Sequence, residues 1–289
     1  MPQLSRPLLS WYAANARDLP WREPGVGAWP VLVSEVMLQQ TPVVRVRPAY
    51  AAWLARWPTP SALAGDSPGE AVRMWDRLGY PRRALRLHAC ATVLRDRHGG
   101  EVPADVATLL QLPGVGAYTA RAVAAFAYGQ RVPVVDTNVR RVVARAVAGQ
   151  GEAGPPSTTR DLASVEALLP REPARAVRFS VALMELGALV CTARAPRCDV
   201  CPIVRDCAWR RAGSPPYRGP VARPQPFTGT DRQVRGRLMA VLRQVPDPVG
   251  KPALDAVWAD AVQRERALDS LVADGLVDPL PDGRYALPT

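Results

Sequence analysis

The sequence predicts an all-α protein with a small appended C-terminal module, and three observations lead there. Apolar residues recur at three- and four-residue spacing in seven stretches between residues 30 and 189, the period of a helix with one buried face. Gly and Pro turn signals fall between those stretches. A Pro-rich run, GSPPYRGPVARPQPFTG (213–229), then reads as a linker before the last 60 residues, because proline favours extended, semi-rigid chain.

In chain order the helical stretches are PVLVSEVMLQQ (30–40), VVRVRPAYAAWLARW (43–57), PGEAVRMWDRLG (68–79), RRALRLHACATVLRDRHGG (82–100), AYTARAVAAFAYG (117–129), DTNVRRVVARAVA (136–148) and ARAVRFSVALMELGAL (174–189). Gly99-Gly100, Pro103, Pro113-Gly114, Gly129, Pro133 and Gly154-Pro155-Pro156 stand where caps and loops belong. Residues 230–289 read as two or three helices and a short hairpin around Pro281-Asp282-Gly283, a pattern compatible with a winged-helix-like module.

Composition limits the function classes. The 289 residues, 48% hydrophobic, suffice for two or three cores, and no run of eighteen apolar residues occurs. MPQLSRPLLSW at the start lacks the apolar region of a signal peptide, so a cytoplasmic protein is expected. A net charge of +11 points to a polyanionic partner, since basic contacts to phosphates release counterions; arginine-rich coding bias gives the same charge without such a partner. Of the 37 Lys+Arg residues one is lysine, Lys251. Apart from it and the N-terminal amine, which removal of Met1 would pass to Pro2, no amine can form a Schiff base with a sugar aldehyde.

Three local motifs and one buried acid carry chemistry. LPGVGAYTA (112–120) sets two glycines in a tight turn before a helix, a turn that bares backbone N–H groups to a phosphate or that simply connects two helices. CTARAPRCDVCPIVRDC (191–207) places Cys191, Cys198, Cys201 and Cys207 in one short loop region with six, two and five residues between them. In a reducing compartment such a group argues for metal rather than disulfides, and spacing leaves [4Fe–4S] and zinc both open. Cys90, inside a helical pattern, reads as a small buried hydrophobe. VPVVDTNVRRVV (132–143) sets Asp136 directly before a helix. Aspartate there is first of all an N-cap, and a capping carboxylate at the positive helix end is expected to stay ionised. Glu35 lies between Leu32, Val36 and Leu38, where desolvation would raise a carboxyl towards the range of a general acid; taken alone it could as well be a salt-bridged or snorkelling side chain. Two carboxylates in unlike surroundings suit the cleavage of a glycosidic bond.

In this order LPWR (19–22), SEVMLQQT (34–41), LGY (78–80), LHAC (87–90), HGG (98–100), LPGVG (112–116), VDTNV (135–139), MELGALVCT (184–192) and the four cysteines resemble the helix-hairpin-helix DNA glycosylases of the endonuclease III superfamily, most closely the MutY-type adenine DNA glycosylases. The resemblance covers residues 8–212. It implies a two-lobed, all-helical fold in which residues 1–29 and 137–212 form an iron–sulfur lobe and residues 30–136 a six-helix barrel domain with the hairpin, DNA lying across the cleft. It further implies that Glu35 protonates adenine at N7, that Asp136 stabilises the sugar cation, and that Tyr118 and Asn138 line the sugar pocket. Tyr118 holds the position of the Schiff-base lysine in lyase-active relatives, so a monofunctional enzyme is expected. Gln39 and Gln40 would fill the space of the flipped nucleotide, and Tyr80 would intercalate beside the opposite base. Gly114, Val115 and Gly116 would offer amides to a phosphate, and the four cysteines would hold a [4Fe–4S] cluster shaping a loop that carries Arg194 and Arg197 towards DNA.

The expected partner is duplex DNA with adenine opposite 8-oxoguanine or guanine, bound by a monomer that is nucleoid-associated in the cytoplasm and meets other base-excision-repair proteins. Pro81 replaces the second tyrosine of many relatives, and residues 230–289 are too few for the Nudix-like domain of the best-known members. Two other readings remain open at this point: a mismatch thymine glycosylase of the same superfamily, and a non-catalytic DNA-binding protein with an iron–sulfur sensor.

Overall fold

A computed structural model describes residues 4–219 and 226–289. Most of the Pro-rich run is therefore described, but its residues 220–225 lie outside, as do Met1 and Pro2, the source of the N-terminal amine. The helices are α1 (Ser5–Asn15), α2 (Ala28–Met37), α3 (Val43–Arg56), α4 (Pro60–Ala64), α5 (Pro68–Trp75), α6 (Arg82–Arg97), α7 (Val106–Leu109), α8 (Ala117–Phe126), α9 (Thr137–Ala146), α10 (Thr158–Glu166), α11 (Pro173–Leu189), α12 (Ala208–Arg211), α13 (Asp231–Gln244), α14 (Lys251–Asp255) and α15 (Ala261–Ala273). Three short strands, β1 (Val249–Gly250), β2 (Asp278–Pro279) and β3 (Arg284–Ala286), complete the chain. No described helix is long and apolar enough to cross a membrane.

Local chemistry starts these helices. Ser67 accepts the Glu70 N–H ahead of Pro68 in α5, and Thr59 does the same for Ala62 in α4. Glu172 accepts from Ala174 and Arg175 before Pro173 in α11, and Asp260 caps α15 through Gln263. Each side chain satisfies N–H groups that the helix cannot, and proline in the first turn surrenders an N–H that would be orphaned anyway.

The chain divides into two compact units. The first comprises residues 4–31, 104–110 and 115–219 of those described. Its core joins Leu8 of α1, Val139, Val142 and Val143 of α9, and Phe179, Leu183 and Leu186 of α11. In this unit Ala122, Ala125 and Val134 also pack with Tyr118 and Phe126 against Val177 and Met184 of α11. Glu185, fully buried in α11, binds Arg17 through Nε at 2.7 Å and Nη2 at 2.8 Å, and Arg22 at 3.0 Å. Burial alone would raise that carboxyl; the hydrogen bonds from Arg17 and the charge of Arg22 pull it below its ordinary value.

The second unit comprises residues 32–103, 111–114 and 226–289 of those described. Trp53 meets Trp57 and Trp75 edge-on, with centroids 4.7 and 5.6 Å apart, a favoured aromatic arrangement, and Leu63, Leu87 and Leu94 are buried in the same unit. The tail runs α13, β1, α14, α15, β2, β3, with an antiparallel sheet in the order β1-β3-β2. Val249 pairs Tyr285, and Asp278 pairs Ala286. Three helices thus accompany a three-stranded sheet, and Gly283, at φ +81°, supplies the left-handed residue that the β2–β3 turn needs. The tail is stapled to α5. The Gly69 N–H donates to the Pro288 carbonyl at 2.7 Å, so close that a Cβ there would stand 2.4 Å from that oxygen. Arg73 donates to the carbonyls of Arg243 and Val245 at 2.6 and 2.7 Å, and Arg243 Nε returns a bond to Val72 O.

Candidate functional site

Asp136 caps α9. Its Oδ1 accepts the Val139 N–H at 2.7 Å and its Oδ2 accepts from Asn138 Nδ2 at 2.9 Å. The cap bonds and the positive helix end both favour the ionised form. In the structure burial outweighs them, and although part of the residue still reaches solvent, the carboxyl lies above its ordinary value. Asn138 is held in turn: its Oδ1 accepts from Arg141 Nη2 at 2.7 Å, while Arg141 also donates to Gly187 O at 2.8 Å and Cys191 O at 2.7 Å. Gly187 allows this approach, because a Cβ there would meet Asn138 Cβ at 2.7 Å. A continuous hydrogen-bonded path thus runs from the carboxylate to the backbone of the first loop cysteine. Tyr118 lies on α8 of the same unit.

Glu35 sits on α2 at 4% exposure, in a run from Val31 to Met37 that is buried throughout. A carboxylate so placed is desolvated. Gln39 and Gln40 follow at the end of α2, Gln40 exposed and in the left-handed region at φ 54°. Tyr80 is 50% exposed with φ 49°; it is no core tyrosine. Gly114, at φ +76°, packs so tightly on Arg86 that a Cβ would stand 2.7 Å from that side chain's Cβ. Val115 is buried, and Gly116 precedes α8 as its N-cap.

The four cysteines line one small cavity with Arg145, Ile203 and Trp209. Arg145 is 4% exposed; it donates to the carbonyls of Gly151, Thr192 and Ala193, approaches Cys191 Sγ at 3.5 Å and lies 5.1 Å over the Trp209 ring. Burial pushes the Cys201 thiol up to about 11 and the Cys191 thiol above its ordinary value. Among the described residues no three His, Cys, Asp or Glu side chains converge as a single-ion site. The donor set is four thiols around a shared space, which fits a metal centre held by cysteine thiolates. Arg194 is exposed; Arg197 is exposed too, and its guanidinium donates to Leu189 O at the end of α11.

Sequence reasoning missed Arg17, Arg22 and Glu185, Arg83, Arg141 and Arg145. One signal was available: an acid inside the apolar run VALMELGAL requires a partner. The arginines gave none, because ion-paired and solvated arginine look alike in a chain this rich in it.

The family model for HhH-GPD superfamily base excision DNA repair proteins matches residues 33–166. The chain is 62% identical over 282 residues to the adenine DNA glycosylase of Mycobacterium tuberculosis (strain CDC 1551 / Oshkosh), covering 97% of this chain and 92% of that protein. It is 42% identical over 212 residues to the human adenine DNA glycosylase, covering 71% of this chain and 39% of that protein. A solved structure of a thermostable thymine-DNA glycosylase superposes with a TM-score of 0.64 at 27% identity, covering 71% of this chain and 94% of that one. Alongside the hairpin glycines, the capped Asp136 and the cysteine-lined cavity, these likenesses show that the chain belongs to the HhH-GPD superfamily of base excision DNA repair proteins, within its adenine DNA glycosylase group.

Proposed function

We propose that this protein is a monofunctional DNA glycosylase of base excision repair, hydrolysing the N-glycosidic bond of adenine mispaired with 8-oxoguanine or guanine. The observation that carries the reading is the contrast between two carboxylates, Glu35 buried in an apolar helix and Asp136 held by cap and amide donors. Glu35 delivers its proton to adenine N7, so that the base departs neutral when the bond to the sugar breaks. Asp136, ionised, stabilises the positive charge left on the sugar, and water adds to that carbon and loses a proton. Tyr118 and Asn138 line the sugar pocket. No lysine stands at the Schiff-base position, and Lys251 Nζ is engaged by Asp255 at 2.6 Å and Glu265 at 2.5 Å, which supports hydrolysis without strand scission.

Gln39, Gln40 and Tyr80 take up the space that base extrusion opens, and the amides of Gly114, Val115 and Gly116 and the side chains of Arg194 and Arg197 meet the DNA backbone. Cys191, Cys198, Cys201 and Cys207 hold a [4Fe–4S] cluster whose chemistry here is to fix the loop. Residues 1–29 and 137–212 serve as the cluster lobe and 30–136 as the barrel domain, with 213–229 as linker and 230–289 as a winged-helix-like module. The enzyme works as a monomer on chromosomal DNA in the cytoplasm.

The alternative of a thymine glycosylase draws on the likeness to the thymine-DNA glycosylase fold and on 35% identity to a thymine/uracil-DNA glycosylase, both at lower identity than the 62% to an adenine glycosylase. Glu35→Gln separates enzyme from sensor: adenine release should vanish while duplex binding persists, and release at the wild-type rate would defeat the proposal.

A further inference from the structure

Arg83, near the start of α6, is 7% exposed, and its guanidinium ties together two separate pieces of chain, residues 36–41 and Gly79. Nη1 donates to the carbonyls of Val36, Met37 and Gln39 at 2.8, 3.0 and 2.6 Å. Nη2 donates to Thr41 Oγ1 at 2.9 Å and to Gly79 O at 3.0 Å. The same group lies 5.2 Å over the Trp75 ring and 5.6 Å over the Tyr80 ring.

The carbonyls of Val36 and Met37 belong to the last turn of α2, where intrahelical partners run out and the dipole is negative. Every hydrogen-bond acceptor is neutral, and burial accordingly pushes Arg83 down to about 10, still protonated at neutral pH. Around it, Gln40 at φ 54° and Tyr80 at φ 49° occupy the left-handed region that side chains rarely adopt. Non-glycine residues persist there when the surroundings over-determine them, and such strain gathers at functional sites.

We infer that Arg83 is a positioning residue that locks the Gln39–Gln40 turn and the Tyr80 turn to the end of the helix carrying Glu35, so that base extrusion and proton delivery share one frame. The inference rests on the glycosylase reading. Lysine cannot replace Arg83, since a single ammonium with three donors does not span five acceptors on two segments. Thr41, buried and donating through Oγ1 to Gln39 O and Leu78 O as alternatives, is the side-chain link in this frame.

The test reads extrusion directly. In a Glu35→Gln background, which binds without cleaving, 2-aminopurine replaces the target adenine opposite 8-oxoguanine, and its fluorescence reports unstacking at saturating protein while anisotropy reports binding. Adding Arg83→Lys should lower the extruded fraction by about tenfold, the size expected when wedge residues no longer offset part of the unstacking cost. Thr41→Val, isosteric and far less disruptive, should lower it in the same direction with melting temperature and binding held. Extrusion unchanged in both variants, or extrusion and binding lost in equal proportion in Thr41→Val, would overturn the inference. Absence of any fluorescence gain with the Glu35→Gln parent would instead count against the glycosylase reading.

Discussion

Replacing Gly187 with alanine tests how finely Asp136 is held. The new Cβ would stand 2.7 Å from Asn138 Cβ and 3.0 Å from the Asn138 carbonyl oxygen. The second neighbour is backbone, so the first turn of α9 has to shift by several tenths of an ångström. Overpacking of this kind costs about 1–3 kcal/mol, while alanine in a helix returns about 1 kcal/mol relative to glycine. A net loss of about 0–2 kcal/mol leaves the protein folded and lowers Tm by less than about 8 °C. The effect on chemistry is larger, because Asn138 donates to Asp136 and accepts from Arg141. Misplacement by about 1 Å can cost about 10²-fold in rate, so a shift of a few tenths should cost about tenfold. Single-turnover adenine release from an A:8-oxoguanine duplex, with the active fraction taken from the amplitude, measures it. A rate within about twofold of wild type, accompanied by a lowered Tm, would refute the reasoning, since the close approach would then matter only for packing.

Three further outcomes follow from the same geometry. Burial makes folded Asp136 bind its proton more tightly than the unfolded chain does, so its ionised form costs stability at pH above the folded value, and protonation relieves that cost as pH falls through it. Asp136→Asn, still a cap but uncharged, should therefore raise Tm near pH 7 while abolishing release, and the wild-type rate should fall in acid at a pH above the ordinary aspartate range; a lower Tm for Asp136→Asn would contradict this. Borohydride should trap no covalent adduct between wild-type protein and substrate DNA, and a trapped band would show an amine at work. Gly69→Ala, whose Cβ would stand 2.4 Å from Pro288 O, should expose the C-terminal tail to proteolysis before the rest of the chain, whereas wild-type protease resistance would mean that the staple to α5 is dispensable.

What the sequence made legible followed from local rules. The cap at Asp136 could be read because the residues that satisfy it are two and three positions away. The β2–β3 turn could be read because Asp282-Gly283 carries its own conformational signal, and the cysteine group because its spacing is short. The direction of the Asp136 shift could not, since burial depends on what α9 packs against. Arg83 sits in RRALR beside Arg82 and Arg86, and nothing local distinguishes it; only the approach of the end of α2, 42 to 47 residues away, makes it a hub. Glu185 announced itself as an acid in an apolar helix, yet its partners Arg17 and Arg22 lie 168 and 163 residues earlier.

The tail shows the same limit in its electrostatics. Residues 226–289 carry eight basic and nine acidic side chains, in a chain with a net charge of +11. In α15 Arg266 pairs with Asp231 and Arg264 with Asp255. A winged-helix pattern ordinarily suggests a DNA reader, but phosphate contact needs uncommitted positive charge, and the basic surplus of this protein lies before residue 226.

The most direct test of the account is single-turnover base release from duplexes carrying A opposite 8-oxoguanine, G, C and T, and T opposite G, each scored before and after hot alkali. The account predicts adenine release fastest opposite 8-oxoguanine, next opposite G, with strand breaks appearing only after alkali. Release of T opposite G in preference to adenine, or breaks before alkali treatment, would contradict it.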